Sequence, residues 1–144
     1  MKKIDQRYYE PLEQMMAIRH SYMAKVIQNE FGISIYDFFL KKEVLDLGCG
    51  TGKFLHGYYE LGSNCIGVDI SNNFFIQNKE RFKLFNVDLN LYLKKNKLKF
   101  DVIFLFEFLE HLTQNQRKIL FKNLYKMMNS NGIIFISTLN RNPI

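Results

Sequence analysis

The stretch that decides the fold is Val44-Leu45-Asp46-Leu47-Gly48-Cys49-Gly50-Thr51-Gly52-Lys53-Phe54. An apolar run that ends in an acid and opens into three alternating glycines predicts a buried strand, a tight loop and the start of a helix. A second apolar run, Cys65-Ile66-Gly67-Val68-Asp69, ends in another acid. This pairing predicts a strand-helix-strand unit in which glycines let a nucleoside approach the backbone and Asp69 accepts from its ribose hydroxyls.

The glycine spacing indicates which nucleoside fits. A dinucleotide fingerprint requires a glycine where Lys53 stands. A phosphate-binding P-loop requires a glycine at Leu47 and a hydroxyl residue at Phe54, so both phosphate motifs fail. The remaining pattern, Asp-x-Gly-x-Gly-x-Gly, suits S-adenosylmethionine, which has no phosphate and carries a sulfonium and an ammonium that favour nearby carboxylates.

From residue 43 to about residue 140 the chain resembles the class I S-adenosylmethionine-dependent methyltransferases. The resemblance implies an α/β fold, a doubly wound and mostly parallel Rossmann-like sheet that here stops after its fifth strand. It implies S-adenosyl-L-methionine as cofactor. The residues that it assigns to that cofactor are Asp46, Gly48, Cys49, Gly50, Gly52, Asp69, Ile70, Asp88, Leu89, Phe106 and Arg19.

The resemblance implies that Gly48, Gly50 and Gly52 border the methionine part, that Asp46 lies near its amino group, that Asp69 binds the ribose hydroxyls and that Asp88 lies against the adenine amino group. Arg19, in the segment ahead of the first strand, is a candidate for binding the cofactor carboxylate. For Asp88 the alternative is an ordinary solvated loop acid, and for Arg19 it is an ordinary surface residue.

The order of apolar runs and helical spacings predicts the elements of the sheet. Strands are expected at 43–47, 65–69, 83–87, 100–106 and 133–138, and helices at about 52–61, 71–81 and 113–129, with an irregular piece near 89–96. The runs are nearly continuous, which is typical of parallel strands buried on both faces. We expect Ser71 and Thr113 to be N-caps, Thr113 in a capping box with Gln116, and Asn129-Ser130-Asn131-Gly132 to end the last helix.

Residues 1–42 are predicted to form a helical cap segment ahead of a single core domain at 43–144. Apolar residues recur at helical spacing from Leu12 to Ile27, Pro11 suits a first helical turn, and Gly32 suits a helix end. We expect this segment to cover one edge of the sheet or to cap the cofactor pocket.

The residues that follow the fourth strand are the candidate catalytic groups. Glu107, Glu110 and His111 form the pattern Glu-x-x-Glu-His, and on a helical turn these positions share a face. Such a face offers a general base, His111 or Glu107, or a site in which all three residues hold a divalent cation such as magnesium. The alternative is a polar helix start in which His111 bonds a backbone group.

A narrower resemblance concerns the acceptor. The Glu-x-x-Glu-His pattern and the stretch Ser137-Thr138-Leu139-Asn140-Arg141-Asn142 are similar to the ubiquinone-biosynthesis O-methyltransferases. This resemblance implies a small-molecule methyl acceptor, a catechol-type precursor of ubiquinone. Residues 140–143 are not the Asn/Asp-Pro-Pro-aromatic motif of enzymes that methylate DNA bases, so DNA is not expected as a partner.

Composition sets the remaining expectations. The 144 residues carry 20 basic and 14 acidic side chains, and the mostly lysine surplus predicts a solvated surface, with weak attraction to anionic membranes as an alternative. Cys49 and Cys65 lack metal-type spacing, which predicts free thiols in a reducing cytoplasm. The N-terminus shows no secretory signal, and no apolar run approaches a membrane span.

Other functions stay open at this point. The methyl acceptor could be another small molecule, a protein or RNA. The chain could instead be a non-catalytic cofactor-binding domain that acts through an oligomer or partner subunit at the open edge of the sheet, since the fifth strand would be an exposed edge.

Overall fold

A computed structural model describes residues 9–74 and 81–138, with side chains from residue 16 onward. The chain divides into two compact units, residues 1–40 and 41–144. Within the described ranges no helix is both long enough and apolar enough to cross a membrane.

The first unit is a helical pair, α1 (Tyr9–Phe31) and α2 (Ile35–Phe39). Gly32 ends α1 with a φ of 69°, a left-handed conformation that glycine adopts without strain, and this confirms the predicted helix end. The Ser34 hydroxyl then accepts from the Asp37 N–H at 3.1 Å and begins α2. That this unit caps a pocket or covers a sheet edge stays a prediction.

The second unit is a five-stranded sheet in the order β3-β2-β1-β4-β5, and every neighbouring pair is parallel. This confirms the α/β fold with a parallel, doubly wound sheet. Its elements are β1 (Glu43–Leu47), α3 (Lys53–Glu60), β2 (Asn64–Asp69), β3 (Lys83–Asn86), α4 (Leu89–Lys95), β4 (Phe100–Phe106), a 3₁₀ turn (Leu109–His111), α5 (Gln114–Met127) and β5 (Met128–Ser137).

Helices cover both faces of the sheet, because successive side chains of β4 point to opposite faces and each face packs against helices. Phe104 turns toward α3, where its ring lies 5.5 Å from that of Phe54. The next residue, Leu105, belongs to the opposite core, which it shares with Leu93 of α4 and Leu120 of α5. Because apolar residues are needed on both sides, β1 and β4 are nearly continuous apolar runs.

The last helix and strand differ from the prediction. Residues 129–132 do not end a helix, because α5 stops at Met127 and β5 starts at once. Phe100 pairs with Met128 and Val102 with Ile133, so three extra residues of β5 are accommodated in an irregularity of the ladder. The strand is also half-buried rather than buried on both faces, since it lies at the edge of the sheet.

Two further segments differ. Residues 71–74 are not helical, and the rest of the helix predicted at 71–81 falls largely on 75–80, outside the described residues. Residues 89–96, expected to be irregular, contain the helix α4. The stretch 139–144 also lies outside the described residues.

Candidate cofactor site and catalytic turn

The glycine loop after β1 is shaped by backbone conformations that only glycine adopts easily. Gly48, Gly50 and Gly52 have φ values of 80°, 56° and 77°. At Gly48 the space is also limiting, because an added Cβ would lie 3.1 and 3.2 Å from two ring carbons of Phe108 and closer still to a third. At Gly50 an added Cβ would meet nothing within 4 Å. Gly48 therefore serves close packing, whereas Gly50 serves the turn alone.

The acid at the end of β2 is fixed by this loop. The Asp69 carboxylate accepts from the Gly50 N–H at 2.8 Å through one oxygen, and from the Ser71 N–H and hydroxyl, both at 2.8 Å, through the other. Ser71, expected as a helix N-cap, thus supports Asp69 instead. A carboxylate held by three donors keeps one orientation, and this is what recognition of a pair of hydroxyls requires.

A cavity of about 340 Å³ opens where β1, β2 and β4 end. Its volume lies in the range of small-molecule sites. Its walls combine apolar side chains with a few polar groups. The lining residues are Leu47, Gly48, Val68, Asp69, Ile70, Val87, Asp88, Leu89, Glu107, Phe108, His111, Leu112 and Gln116. The structure thus brings seven predicted site residues to one cavity: Gly48, Asp69, Ile70, Asp88, Leu89, Glu107 and His111.

Asp88 has a structural duty in addition to its place in the cavity wall. Its Oδ1 accepts from the Asn90 N–H at 2.8 Å and from the Leu91 N–H at 3.4 Å, which makes it the N-cap of α4. Both bonds use the same oxygen.

The other predicted cofactor residues are not among those that line the cavity. The Phe106 ring packs on the α3 side of the sheet, 5.1 Å from Phe54, because alternation along β4 turns it that way. Asp46 is 4% exposed within β1. Gly50 and Gly52 shape the loop without lining the cavity, and Arg19 belongs to the N-terminal unit. The roles proposed for these residues stay predictions.

The thiol of Cys49 is a buried packing group. Burial, and then the negative charges of Asp46 and Asp69, raise the pKa of this thiol well above its usual range. Gly67 leaves room for it, because a Cβ there would lie 2.7 Å from the Cys49 Sγ. A thiol that stays protonated at neutral pH is a poor nucleophile, so it serves the loop as an apolar side chain.

The segment after β4 is not the regular helical turn that was predicted. Glu107 has a φ of 49°, uncommon for a residue with a side chain, and its N–H donates to the Ser137 carbonyl at 2.9 Å. Only after Phe108 does a turn begin, and it is a 3₁₀ turn over Leu109–His111. Glu107 and His111 both reach the cavity wall.

The predicted metal cluster is not assembled. Glu110 does not line the cavity, and its carboxylate oxygens are shielded from solvent without a hydrogen-bond partner. In the described part of the chain, no three His, Cys, Asp or Glu side chains are grouped to hold a metal ion. The physical reason is the left-handed residue at position 107, which breaks the i, i+3, i+4 geometry on which the prediction depended.

Sequence reasoning missed several cavity residues. Phe108 lies between Glu107 and the turn, and only its contact with Gly48 reveals its role. Gln116 was recognised solely as a partner in the capping box with Thr113, which the structure confirms. Gln116 lies in the first turn of α5, a few residues after the Glu-x-x-Glu-His pattern, and this position indicates a residue close to the candidate catalytic groups.

Comparison with known proteins gives a consistent result. The sequence pattern of the methyltransferase domain family matches residues 15–143. The ubiquinone biosynthesis O-methyltransferase of Pelagibacter ubique is 33% identical over 139 residues, which cover 92% of this chain and 57% of that protein. The chain spans about half the length of the curated relatives that it matches.

Solved structures agree on the fold. An S-adenosylmethionine-dependent methyltransferase from Archaeoglobus fulgidus superposes with a TM-score of 0.64 at 26% identity, over 93% of this chain and 59% of that one. The structure of PKMT2 from Rickettsia typhi in complex with AdoHcy gives a TM-score of 0.60 at 28% identity, over 68% of this chain and 21% of that one.

Proposed function

This chain belongs to the methyltransferase domain family, and we propose that it transfers a methyl group from S-adenosylmethionine to a hydroxyl of a small molecule. The name of the Pelagibacter relative supports a more specific acceptor, a catechol-type precursor of ubiquinone. The observation that carries the proposal is the cavity at the ends of β1, β2 and β4. It has the volume that a nucleoside needs, and its lining includes His111 and Asp69, whose carboxylate is fixed by hydrogen bonds.

In this proposal different lining residues bind different parts of the cofactor. Asp69 accepts from the ribose hydroxyls, and the apolar side chains of Val68, Ile70 and Leu89 enclose the adenine. The Oδ2 atom of Asp88, which is not used in capping α4, accepts from the adenine amino group. A phosphate-bearing dinucleotide is disfavoured, because Asp69 and Glu107 make the cavity acidic and the loop has Lys53 in place of the third glycine.

When bound, the cofactor supplies an activated methyl group on a sulfonium. The protein contributes position, exclusion of water and proton removal. His111, which lines the cavity and is an exposed residue, takes the proton from the acceptor hydroxyl and passes it to solvent. Glu107 on the same wall stabilises the imidazolium that forms.

We infer that His111 acts without a divalent cation, because Glu110 does not line the cavity that Glu107 and His111 line and the three side chains are not grouped as metal ligands. Addition of EDTA to a methyl-transfer assay decides this point: unchanged activity supports the base, whereas loss that is restored by magnesium would require the three side chains to rearrange around the ion.

The test of the function is transfer of radiolabelled methyl from S-adenosylmethionine to a panel of catechols and monophenols. Product that depends on a phenolic hydroxyl supports the proposal. His111→Ala should lower kcat about 100-fold or more while the affinity for S-adenosylhomocysteine stays the same, because general-base contributions are of that size. Cofactor binding without transfer to any hydroxyl would favour a non-catalytic cofactor-binding domain instead.

Two further proposals concern the cellular setting of the protein and its association with a second chain. We propose a reducing, cytoplasmic setting, supported by the free and buried thiols of Cys49 and Cys65. We also propose that a second chain can pair with β5, which lies at one end of the strand order and leaves Ile136 46% exposed. Light scattering after size exclusion tests the second point, and a monomer at all concentrations would oppose it.

A further inference from the structure

The excess positive charge of the chain is concentrated in two segments, each of which contains a helix of the same layer. Residues 89–99 and 114–127, which contain α4 and α5, carry eight Lys and Arg side chains and no acid. The rest of the chain holds 12 basic against 14 acidic residues, a net charge of −2, although the whole chain is at +6. The surplus is therefore a local feature and not an even coat of lysine.

On α5 this charge is interleaved with exposed aromatic rings. The helix buries Leu120, Leu124 and Met127 against the sheet. At 100° per residue the opposite side presents Lys118, Lys122 and Tyr125, with Phe121 and Lys126 at its flanks. Tyr125 is 86% exposed and Phe121 47% exposed, so both rings lie at the outer surface of the helix beside the lysines.

The neighbouring helix continues the same surface. α4 buries Leu89, Tyr92 and Leu93 in the core that it shares with α5, so both helices lie on the same face of the sheet. Outward it exposes Leu91, Lys94 and Lys95. We call the eight residues Leu91, Lys94, Lys95, Lys118, Phe121, Lys122, Tyr125 and Lys126 the basic aromatic face.

We propose that the basic aromatic face binds the surface of a membrane that contains anionic lipids. Lysines are attracted to anionic headgroups, and phenyl, phenol and leucine side chains insert at the boundary with the acyl chains. The five lysines of the face make no ion pair with an acid in the described part of the chain. Their charge is thus available to an external anionic surface.

The composition of the face favours lipid over nucleic acid. All five of its cations are lysines, which act as point charges, whereas bidentate recognition of phosphates and bases favours arginine. The face is also the outer side of two neighbouring helices on one sheet layer, a form suited to a lipid surface. An RNA surface is the competing outcome in the test below.

The experiment is sedimentation of the chain with vesicles of phosphatidylcholine that contain about 30% phosphatidylglycerol, compared with pure phosphatidylcholine. We expect binding to the anionic vesicles only, weakening with salt. At about fivefold per lysine, the variant Lys118→Gln/Lys122→Gln/Lys126→Gln should bind about 100-fold more weakly. A second variant, Phe121→Ser/Tyr125→Ser, keeps all lysines and should lose most of the binding that survives at high salt.

The matched control is Lys25→Gln/Lys41→Gln/Lys83→Gln, which removes three exposed lysines elsewhere and changes the net charge equally. It should keep vesicle binding within about threefold. Thermal unfolding verifies that all variants are folded. Equal losses in both triple variants, no binding to anionic vesicles, or tighter binding to single-stranded RNA than to the vesicles would each overturn the proposal.

Discussion

The substitution Gly48→Ala tests the loop most sharply, because two separate costs meet there. The residue has a φ of 80°, and its new Cβ would fall within van der Waals distance of three ring carbons of Phe108. Gly50→Ala is the matched control, since it has a φ of 56° and open space around the new methyl group.

The magnitudes follow from these two terms. A left-handed alanine costs roughly 1–2 kcal/mol, which both variants incur. Overpacking adds about 1–3 kcal/mol at Gly48 alone, because the Phe108 ring must move by about 1 Å. We therefore expect the free energy of unfolding to fall by about 2–5 kcal/mol for Gly48→Ala and by about 1–2 kcal/mol for Gly50→Ala.

Urea unfolding measures both values, and a double-mutant cycle isolates the clash. Phe108→Ala removes the ring, so the double variant Gly48→Ala/Phe108→Ala should be about 1–3 kcal/mol more stable than the sum of the single effects. Additive effects, or equal losses at Gly48 and Gly50, would refute the packing argument and leave backbone strain as the whole cost.

Two further predictions concern stability. Thr113→Ala should lower the free energy of unfolding by about 1 kcal/mol in urea titrations, because it removes the N-cap of α5, whereas Thr113→Ser should not. Burial raises the pKa of Cys65 to about 12, and Cys49 is raised in the same direction. The pKa of each thiol is higher in the folded protein than in the unfolded chain. The contribution of each thiol to the free energy of unfolding is therefore complete below about pH 8.5 and is lost above it, by about 1.4 kcal/mol per pH unit for each thiol. Urea titrations from about pH 8 to 10.5 should show a flatter decline for Cys49→Ala/Cys65→Ala, and equal slopes would contradict the assignment.

The sheet could be predicted from the sequence because its signals are local and agree with one another. The runs at 43–47 and 100–106 match β1 and β4 residue for residue, since strands buried on both faces are short, nearly continuous apolar runs whose length separates them from helices. The polar stretch 129–132 misled the prediction, because turn-forming residues are also tolerated in an irregular part of an edge strand.

Site residues could be predicted where the position of a single residue in the sequence determines its role. They could not be predicted where contacts between distant parts of the chain determine it. Asp69 was placed from its position at a strand end, and the cavity contains it. The grouping of Glu107, Glu110 and His111 assumed a regular helical turn, and one left-handed residue removed that geometry. Phe108 could not be recognised, because its role depends on a contact with a glycine 60 positions earlier.

We claim that the cavity binds a phosphate-free nucleoside through Asp69, and calorimetric titration with S-adenosylhomocysteine measures this binding. We predict a single site whose affinity falls about 30-fold in Asp69→Asn, the loss of about 2 kcal/mol of charge-assisted hydrogen bonding. The control Asp101→Asn changes another partly buried acid with two hydrogen bonds, at the opposite end of the sheet, and should bind normally. Equal affinity of wild type and Asp69→Asn for S-adenosylhomocysteine would contradict the claim. Saturation by reduced nicotinamide dinucleotide without any binding of S-adenosylhomocysteine would contradict it as well.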